Sequence, residues 1–138
     1  MKKITNGSDY TKHNEGLRLK MYKCTSCYHT AGYGRNMDEV GLRNIGEAEL
    51  FFKNDMAYFR KSLSKFDWFK KLNEVRKSAI ADMAFNLGIN GIKKFANTIR
   101  YIENDDYENA AIEMLDSKYA KVDVPERARR NSKMMRTG

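Results

Sequence analysis

The chain has 138 residues, of which 41% are hydrophobic and 32% are charged. This length fits one domain or two closely packed lobes, and the apolar fraction is enough for a core. The high charge content and the lack of an apolar run of about 20 residues exclude a membrane-spanning protein. We therefore expect a globular protein without stable membrane insertion.

The charge is strongly positive and unevenly distributed. The net charge of +8 and a pI near 9.5 predict attraction to polyanions such as nucleic acid, anionic lipid or the bacterial envelope. Residues 1–35 carry seven Lys/Arg against two Asp/Glu, residues 101–124 carry two against seven, and residues 125–138 carry five against one. Most of these charges are expected to be ordinary solvated surface.

Local patterns near the N-terminus predict a short helix followed by a hairpin. Residues 8–20 can form a helix that contains Glu15. In residues 21–35, β-forming side chains flank a polar centre, which is a hairpin signal. Gly32 and Gly34 indicate bends or a close approach of the backbone.

The rest of the chain has helical periodicity. Asn44 and Glu47 have the spacing of a capping box, and the apolar positions that follow predict a long amphipathic helix over 46–66. The pattern continues in a second helix that ends near Gly88, with Asn90-Gly91 as the break. Asp123 can cap a last helix, in whose first turn proline is tolerated. Three helices complete the prediction: around Phe95, Ile99 and Ile102; around Ala110, Ala111, Met114 and Leu115; and from Pro125.

Together these elements predict an α+β fold with two lobes. A small β-containing lobe is expected over residues 1–45, a connecting helix over 46–66, and a larger helical lobe over 67–138. A cleft between two such lobes suits an extended polymer.

Three residues of the small lobe have the types that glycoside hydrolysis uses. The reaction needs an acid that protonates the leaving oxygen and a second group that activates water or attacks carbon. Glu15, Cys24 and Thr30 fit these roles, with eight residues between the first two and five between the last two. From residue types alone the signal is weak, because most glutamates are solvated surface and threonine is a β-former.

The segment 15–34 resembles the active-site region of the phage lysozymes, family 24 of the glycoside hydrolases, which includes the lysozyme of the T-even phages. The family pattern is Glu, eight residues, Asp or Cys, five residues, Thr, and this sequence satisfies it. Residues 84–88 (AFNLG) resemble the family's helical-lobe motif, and residues 125–130 (PERARR) resemble its C-terminal basic helix. The three blocks stand in the family's order.

This resemblance implies a lysozyme-like fold and an endolysin, or muramidase. Such an enzyme hydrolyses the β-1,4 bond between N-acetylmuramic acid and N-acetylglucosamine in bacterial peptidoglycan, by inversion and without a cofactor or metal. The resemblance implies that Glu15 is the general acid and that Cys24 and Thr30 hold and activate water. The other residues that it assigns are Arg127, which supports the acid, and Phe85, Asn86 and Thr98, which line the glycan groove.

Cysteine at position 24 leaves the base chemistry open. A free thiol has a pKa of about 8.5 and is mostly protonated at neutral pH. Nearby cations such as Lys23 or Arg127 can lower that pKa. The thiolate can then act as a base towards water, or attack carbon itself with retention. We favour the first role. Arg35 stands where the family commonly has histidine, which bears on lobe packing and not on catalysis.

The second cysteine adds further alternatives. A disulfide between Cys24 and Cys27 would remove the base and silence the enzyme until it is reduced. With His13 and His29 the two cysteines could offer four zinc ligands, although the spacing is atypical. The simplest interpretation of Cys27 is a small turn residue without chemistry.

Two other functions compete with hydrolysis. One is a catalytically silent lysozyme-like protein that binds the cell wall without cutting it, and the presence of cysteine at position 24 would permit this function. The basic charge permits a nucleic-acid-binding module, but no recognisable motif supports one, so no nucleic-acid partner is expected.

The resemblance also bears on location and partners. The basic N-terminus has no apolar stretch behind it, so no signal peptide is expected. We expect a monomer made in the host cytoplasm that acts on the periplasmic cell wall at lysis and depends on a membrane-permeabilising holin. A tail-associated enzyme used at infection is the alternative.

Overall fold

The computed structural model describes residues 7–138. The chain divides into two compact units, Met1–Leu50 and Phe51–Gly138, called the first and the second unit below. Most of the chain is helical, and a small antiparallel sheet lies near the N-terminus. This confirms the predicted α+β class. No helix in the described part of the chain is both long and apolar enough to span a membrane.

The described part of the first unit, residues 7–50, consists of one helix, a three-stranded sheet and the start of a long helix. Helix α1 is shorter than the predicted 8–20, because the Gly16 amide donates to the Lys12 carbonyl oxygen at 2.9 Å and closes the helix end. The elements are α1 (Gly7–Glu15), β1 (Arg18–Lys23), β2 (His29–Gly32), β3 (Arg35–Asn36) and α2 (Ile45–Leu63), which continues into the second unit.

The sheet confirms the hairpin prediction. Strands β1 and β2 pair antiparallel, with Tyr22 opposite Thr30 and Lys23 opposite His29. Strand β3 then pairs with β2 and places Asn36 opposite Thr30. Thr30 is therefore on the central strand, and it is only 4% exposed.

In the described part of the first unit, polar contacts and not an apolar core hold the elements together. Within residues 7–50 no apolar side chain is buried. The predicted cap is confirmed, since the Asn44 side chain accepts from the Glu47 amide at 2.9 Å. The Glu47 carboxylate accepts from the Arg43 amide at 2.7 Å and takes a bidentate bond from Arg35, with both distances 2.6 Å. Arg35 thus ties β3 to the first turn of α2.

The second unit carries the apolar core. Its elements are α3 (Asp67–Lys70), α4 (Glu74–Lys93), α5 (Ala96–Glu103), α6 (Tyr107–Leu115), a π-helical turn (Tyr119–Asp123) and α7 (Pro125–Thr137). Fully buried side chains from these helices and from the end of α2 pack together: Leu63, Phe69, Met83, Ile92, Ile102, Met114 and Met135.

Two details of the second unit differ from the sequence prediction, and a third agrees with it. The second helix is two helices, because the Asn73 side chain caps α4 by accepting from the Arg76 amide at 2.9 Å. The predicted break near Gly88 is present, where φ 75° and ψ 167° are accessible essentially to glycine alone. Asn90-Gly91 does not break the helix, since helical conformation resumes after Gly88 and continues to Lys93.

The start of α7 also differs. The capping position of α7 is held by Val124 and not by the predicted Asp123, and Val124 makes no side-chain capping bond. Asp123 is the last residue of the π-helical turn, which the Val124 amide closes by donating to the Tyr119 carbonyl oxygen at 2.9 Å. Because Asp123 belongs to that turn, it does not cap α7. The proline at the first position of the helix is confirmed.

The Arg35–Glu47 pair makes the first unit sensitive to acid. Hydrogen bonds from Arg35 and then from the Arg43 amide lower the pKa of Glu47 from 4.5 to about 2. A carboxylate with a depressed pKa stabilises fully above its ordinary value, and this contribution is lost as the pH falls through the folded value. At pH 7, Glu47→Gln should therefore accelerate hydrogen exchange over residues 41–50, measured by mass spectrometry.

The difference should shrink as the pH falls towards about 2, where Glu47 is itself protonated. Glu49→Gln, which removes an exposed carboxylate from the same helix, is the matched control and should leave exchange unchanged. Equal exchange of the Glu47→Gln and parent proteins at pH 7 would contradict the role given to this pair.

Candidate active site

Glu15 ends helix α1, and its carboxylate lies against the backbone of Gly34. A Cβ atom added at Gly34 would collide with Glu15 Oε2 and would lie 2.9 Å from Cδ. Gly34 also has φ +69°, a conformation that other L-residues rarely adopt. Glycine at this position therefore leaves room for the carboxylate, and the side chain itself is exposed.

Cys24 and Thr30 are brought together by the β1–β2 hairpin. Cys24 directly follows β1 and Thr30 lies on β2. The Thr30 hydroxyl is within hydrogen-bonding reach of the Cys24 sulfur and also bonds the Tyr28 carbonyl oxygen at 3.1 Å. The buried hydroxyl and the half-buried thiol form a pair in the same unit as Glu15.

Hydrogen bonds favour the thiolate form of Cys24. The backbone of Ser26 and then that of Tyr28 lower the pKa of the thiol, partial burial raises it, and the Thr30 hydroxyl lowers it further. The net effect is a pKa below the ordinary value of a cysteine thiol. The cause is thus the hairpin backbone, whereas the sequence pointed to neighbouring cations.

Arg127 lies in the first turn of α7 in the second unit and is held by Asp82. Its Nε and Nη2 atoms donate to the two carboxylate oxygens of Asp82, each at 2.8 Å. Asn131, itself buried, donates to Asp82 at 2.8 Å and to the Tyr119 hydroxyl at 3.0 Å. These bonds, Arg127 first, lower the pKa of Asp82.

Sequence reasoning missed Asp82. The residue lies on α4, where nothing in the local pattern separates it from a solvated charge on a helix. Its partner is 45 positions away, so only the folded chain reveals the pair. Arg127 is consequently a cation whose charge is compensated by a neighbouring carboxylate.

The three predicted groove residues also lie in the second unit. Phe85 is 38% exposed and packs against Phe52 and Phe59, with ring centroids 5.7 and 5.8 Å apart. Asn86 beside it is exposed. Thr98 is buried and lines a cavity of about 580 Å³, which Phe85 and Asn86 do not line.

The remaining cysteine and histidines are dispersed. Cys27 is exposed in the hairpin loop, and both cysteines are free thiols. The His29 ring bonds Asp38 at 3.1 Å, and His13 lies on α1. Over residues 7–138, no three His, Cys, Asp or Glu side chains are grouped so that they could hold a metal ion.

A small three-stranded antiparallel sheet near the N-terminus and a helical unit with its own core make this an α+β protein, and its family match makes the fold that of the lysozymes. The sequence model of the family described as "Phage lysozyme" matches residues 12–133, and the chain belongs to that family. It is therefore a glycoside hydrolase of the muramidase type.

Similar proteins occur in a slime mould and in phages. The Dictyostelium discoideum protein named "Probable T4-type lysozyme 1" is 28% identical over 98% of this chain and 96% of its own length. The "Endolysin" of Acyrthosiphon pisum secondary endosymbiont phage 1 is 29% identical over 80% of this chain and 76% of its own length. The "Pre-baseplate central spike protein Gp5" of Enterobacteria phage T4 is 26% identical, over 75% of this chain but only 23% of its own length.

The contact between Glu15 and Gly34 can be tested with a matched pair of glycine variants. Gly34→Ala adds a Cβ that collides with the Glu15 carboxylate, whereas Gly32→Ala, at φ +67°, adds one with no atom within 4 Å. Each substitution should cost about 1–3 kcal/mol of backbone strain, measured by urea unfolding. Only Gly34→Ala should also lower the hydrolysis rate, measured by the clearing of a peptidoglycan suspension. Equal rates for the two variants, at matched folded fractions, would contradict this contact.

Proposed function

We propose that this protein is an inverting muramidase of the endolysin type, with Glu15 as general acid and with Cys24 and Thr30 holding and activating water. Its substrate is the β-1,4 bond between N-acetylmuramic acid and N-acetylglucosamine in bacterial peptidoglycan. The observation that carries the proposal is the Cys24–Thr30 pair, in which a thiol with a lowered pKa lies beside a buried hydroxyl.

The acid role of Glu15 is supported by its placement at the end of α1. An exposed carboxyl over a glycine backbone leaves space for a sugar oxygen to approach. In the reaction, protonated Glu15 gives its proton to the leaving glycosidic oxygen as the bond to the anomeric carbon breaks. A general acid of this kind contributes about 10²–10⁴-fold to the rate.

The base role of Cys24 is supported by the hydrogen bonds around its sulfur. A thiolate can take a proton from water, and the oxygen of that water then attacks the anomeric carbon from the face opposite the leaving group. The Thr30 hydroxyl, fixed on the central strand, orients the same water. We favour this role over direct attack by sulfur, because the resemblance to the phage lysozymes implies a water-activating group at this position, and the stereochemistry of the product distinguishes the two.

The residues of the second unit complete the proposal. Arg127 supports the acid, and its bidentate bond to Asp82 fixes the guanidinium and compensates its charge. Phe85, Asn86 and Thr98 bind the glycan strand. The two units, with α2 continuing from one into the other, form one lysozyme domain that acts as a monomer.

The relative named "Endolysin" supports a proposal for the biological setting. We propose synthesis in the host cytoplasm and release to the periplasmic cell wall at lysis with the help of a holin, without a nucleic-acid partner. The likeness to a central spike protein favours a second candidate, an enzyme of the phage tail that acts at infection.

Three substitutions test the assigned roles by the clearing of a peptidoglycan suspension. Glu15→Gln should lower the rate by at least about 10²-fold, since the amide has no proton to give. Cys24→Ala should cause a loss of the same order, because no group is left to accept the proton of water. Cys24→Asp should restore activity, because a carboxylate can accept that proton. Glu49→Gln and Cys27→Ser are the controls and should keep the parent rate.

Each outcome has a distinct meaning. Full activity of Glu15→Gln would remove Glu15 as the acid, and full activity of Cys24→Ala would remove Cys24 from catalysis. A parent protein that sediments with peptidoglycan but never clears it would be a catalytically silent wall-binding protein.

A further inference from the structure

We propose that Cys24 and Cys27 form a thiol–disulfide exchange site that reacts with a small disulfide of the glutathione type, closes into an internal disulfide and thereby switches hydrolysis off. The chemical site rests on the geometry of the hairpin loop. Its effect on hydrolysis rests, in addition, on the proposed role of Cys24 as base.

The loop geometry brings the two cysteines within bridging distance. The Cys27 amide donates to the Cys24 carbonyl oxygen at 2.9 Å, which closes a β-turn from residue 24 to residue 27. The ends of such a turn lie less than about 7 Å apart between Cα atoms. Disulfides join Cα atoms at about 4.4–6.8 Å, so the upper limit set by the turn matches the reach of a disulfide.

A second backbone bond fixes this arrangement at the base of the loop. The Cys24 amide donates to the Tyr28 carbonyl oxygen at 3.0 Å. Cys27 has φ 65°, which is typical of the third residue in a three-residue hairpin loop. Asparagine or glycine is usual in this left-handed conformation, and a cysteine there is unexpected from backbone preference. Packing does not explain it either, because Cys27 is exposed.

The environments of the two thiols suit different steps of the exchange. Cys24 is partly accessible and is favoured as thiolate by the loop backbone and Thr30, so it can attack an external disulfide. Cys27 is exposed next to it and can resolve the product. A pair of cysteines with two residues between them is a common arrangement in proteins that exchange disulfides.

The exchange proceeds in two balanced steps. The Cys24 thiolate attacks one sulfur of glutathione disulfide, which breaks the sulfur–sulfur bond and releases one glutathione thiolate. Cys27 loses its proton, attacks the Cys24 sulfur of the mixed disulfide and expels the second glutathione thiolate. The two thiol protons of the protein end on two glutathione molecules, and the two electrons lost by the protein reduce the added disulfide.

Oxidation removes the proposed base. A disulfide sulfur carries no negative charge and cannot accept a proton from water, and it no longer attracts the Thr30 hydroxyl. The bond would lie at an exposed loop, where a thiol reductant can reach and reverse it. The enzyme would thus be silent while this bond is formed and active after its reduction.

Intact mass spectrometry after incubation with glutathione disulfide and acid quenching tests the chemical site. The parent protein should lose the mass of two hydrogens and should carry no glutathione. Cys27→Ser should stop at the mixed disulfide and gain one glutathione, since nothing resolves it. Two glutathiones on the parent protein, or two unreacted thiols under conditions that modify Cys27→Ser, would overturn the proposal.

Clearing of a peptidoglycan suspension by the same samples tests the switch. The oxidised parent should lose at least about 10²-fold of its rate, the size of a general-base contribution, and dithiothreitol should restore it. Cys24→Asp, which has no thiol at position 24, should show the same rate with and without glutathione disulfide.

The two readouts separate the possible failures. Loss of two hydrogens with an unchanged rate would overturn the switch and also the base role of Cys24, but not the exchange site. Failure to form the bond, together with a strong effect of Cys24→Ala on the reduced enzyme, would overturn the exchange site and leave the proposed function intact.

Discussion

The pairing register of β1 with β2 is the constraint on which the proposed chemistry depends. With Lys23 opposite His29, Cys24 falls opposite Tyr28, and Thr30 is its diagonal neighbour two residues along the partner strand. Diagonal neighbours point to the same face of a hairpin and are within reach of each other. A slip of one residue would turn Thr30 to the other face and separate the hydroxyl from the thiol. The spacing of five residues between Cys24 and Thr30 therefore encodes a contact across a three-residue loop.

The two units are stabilised by different physics. The second unit has a core of buried apolar side chains from its helices. The described part of the first unit buries no apolar side chain and relies on backbone pairing, on the Asn44 cap and on the Arg35–Glu47 pair. Because Glu15, Cys24 and Thr30 all lie in this unit, the geometry of the proposed site is set by polar contacts. The bidentate bond from Arg35 to Glu47, with both distances 2.6 Å, is one of the strongest of them.

The sequence predicted those features that local interactions determine. The hairpin follows from β-forming residues around a polar centre, and the start of α2 follows from Asn44 and Glu47 three residues apart. Glu15, Cys24 and Thr30 were singled out by the resemblance to the phage lysozymes, because residue types alone give only a weak signal at these positions. Whether these residues act as assigned stays a prediction.

Features that depend on distant partners or on exact backbone geometry could not be predicted from the sequence. Asp82 meets Arg127 only after α4 and α7 pack together. The sequence predicts a helix break at Asn90-Gly91. Within α4, however, the residue with non-helical backbone angles is Gly88, and helical conformation resumes after it. The lowered pKa of Cys24 arises from backbone hydrogen bonds of its own loop, for which the residue types give no sign.

The central claim is that water, and not the sulfur of Cys24, attacks the anomeric carbon while Glu15 protonates the leaving oxygen. The anomeric form of the first muropeptides released, followed by NMR before mutarotation, measures this directly. The account predicts that the newly formed reducing end appears as the α-anomer from a β-linked substrate, which is inversion. Initial release of the β-anomer would show retention, the result of a covalent intermediate, and would contradict the account.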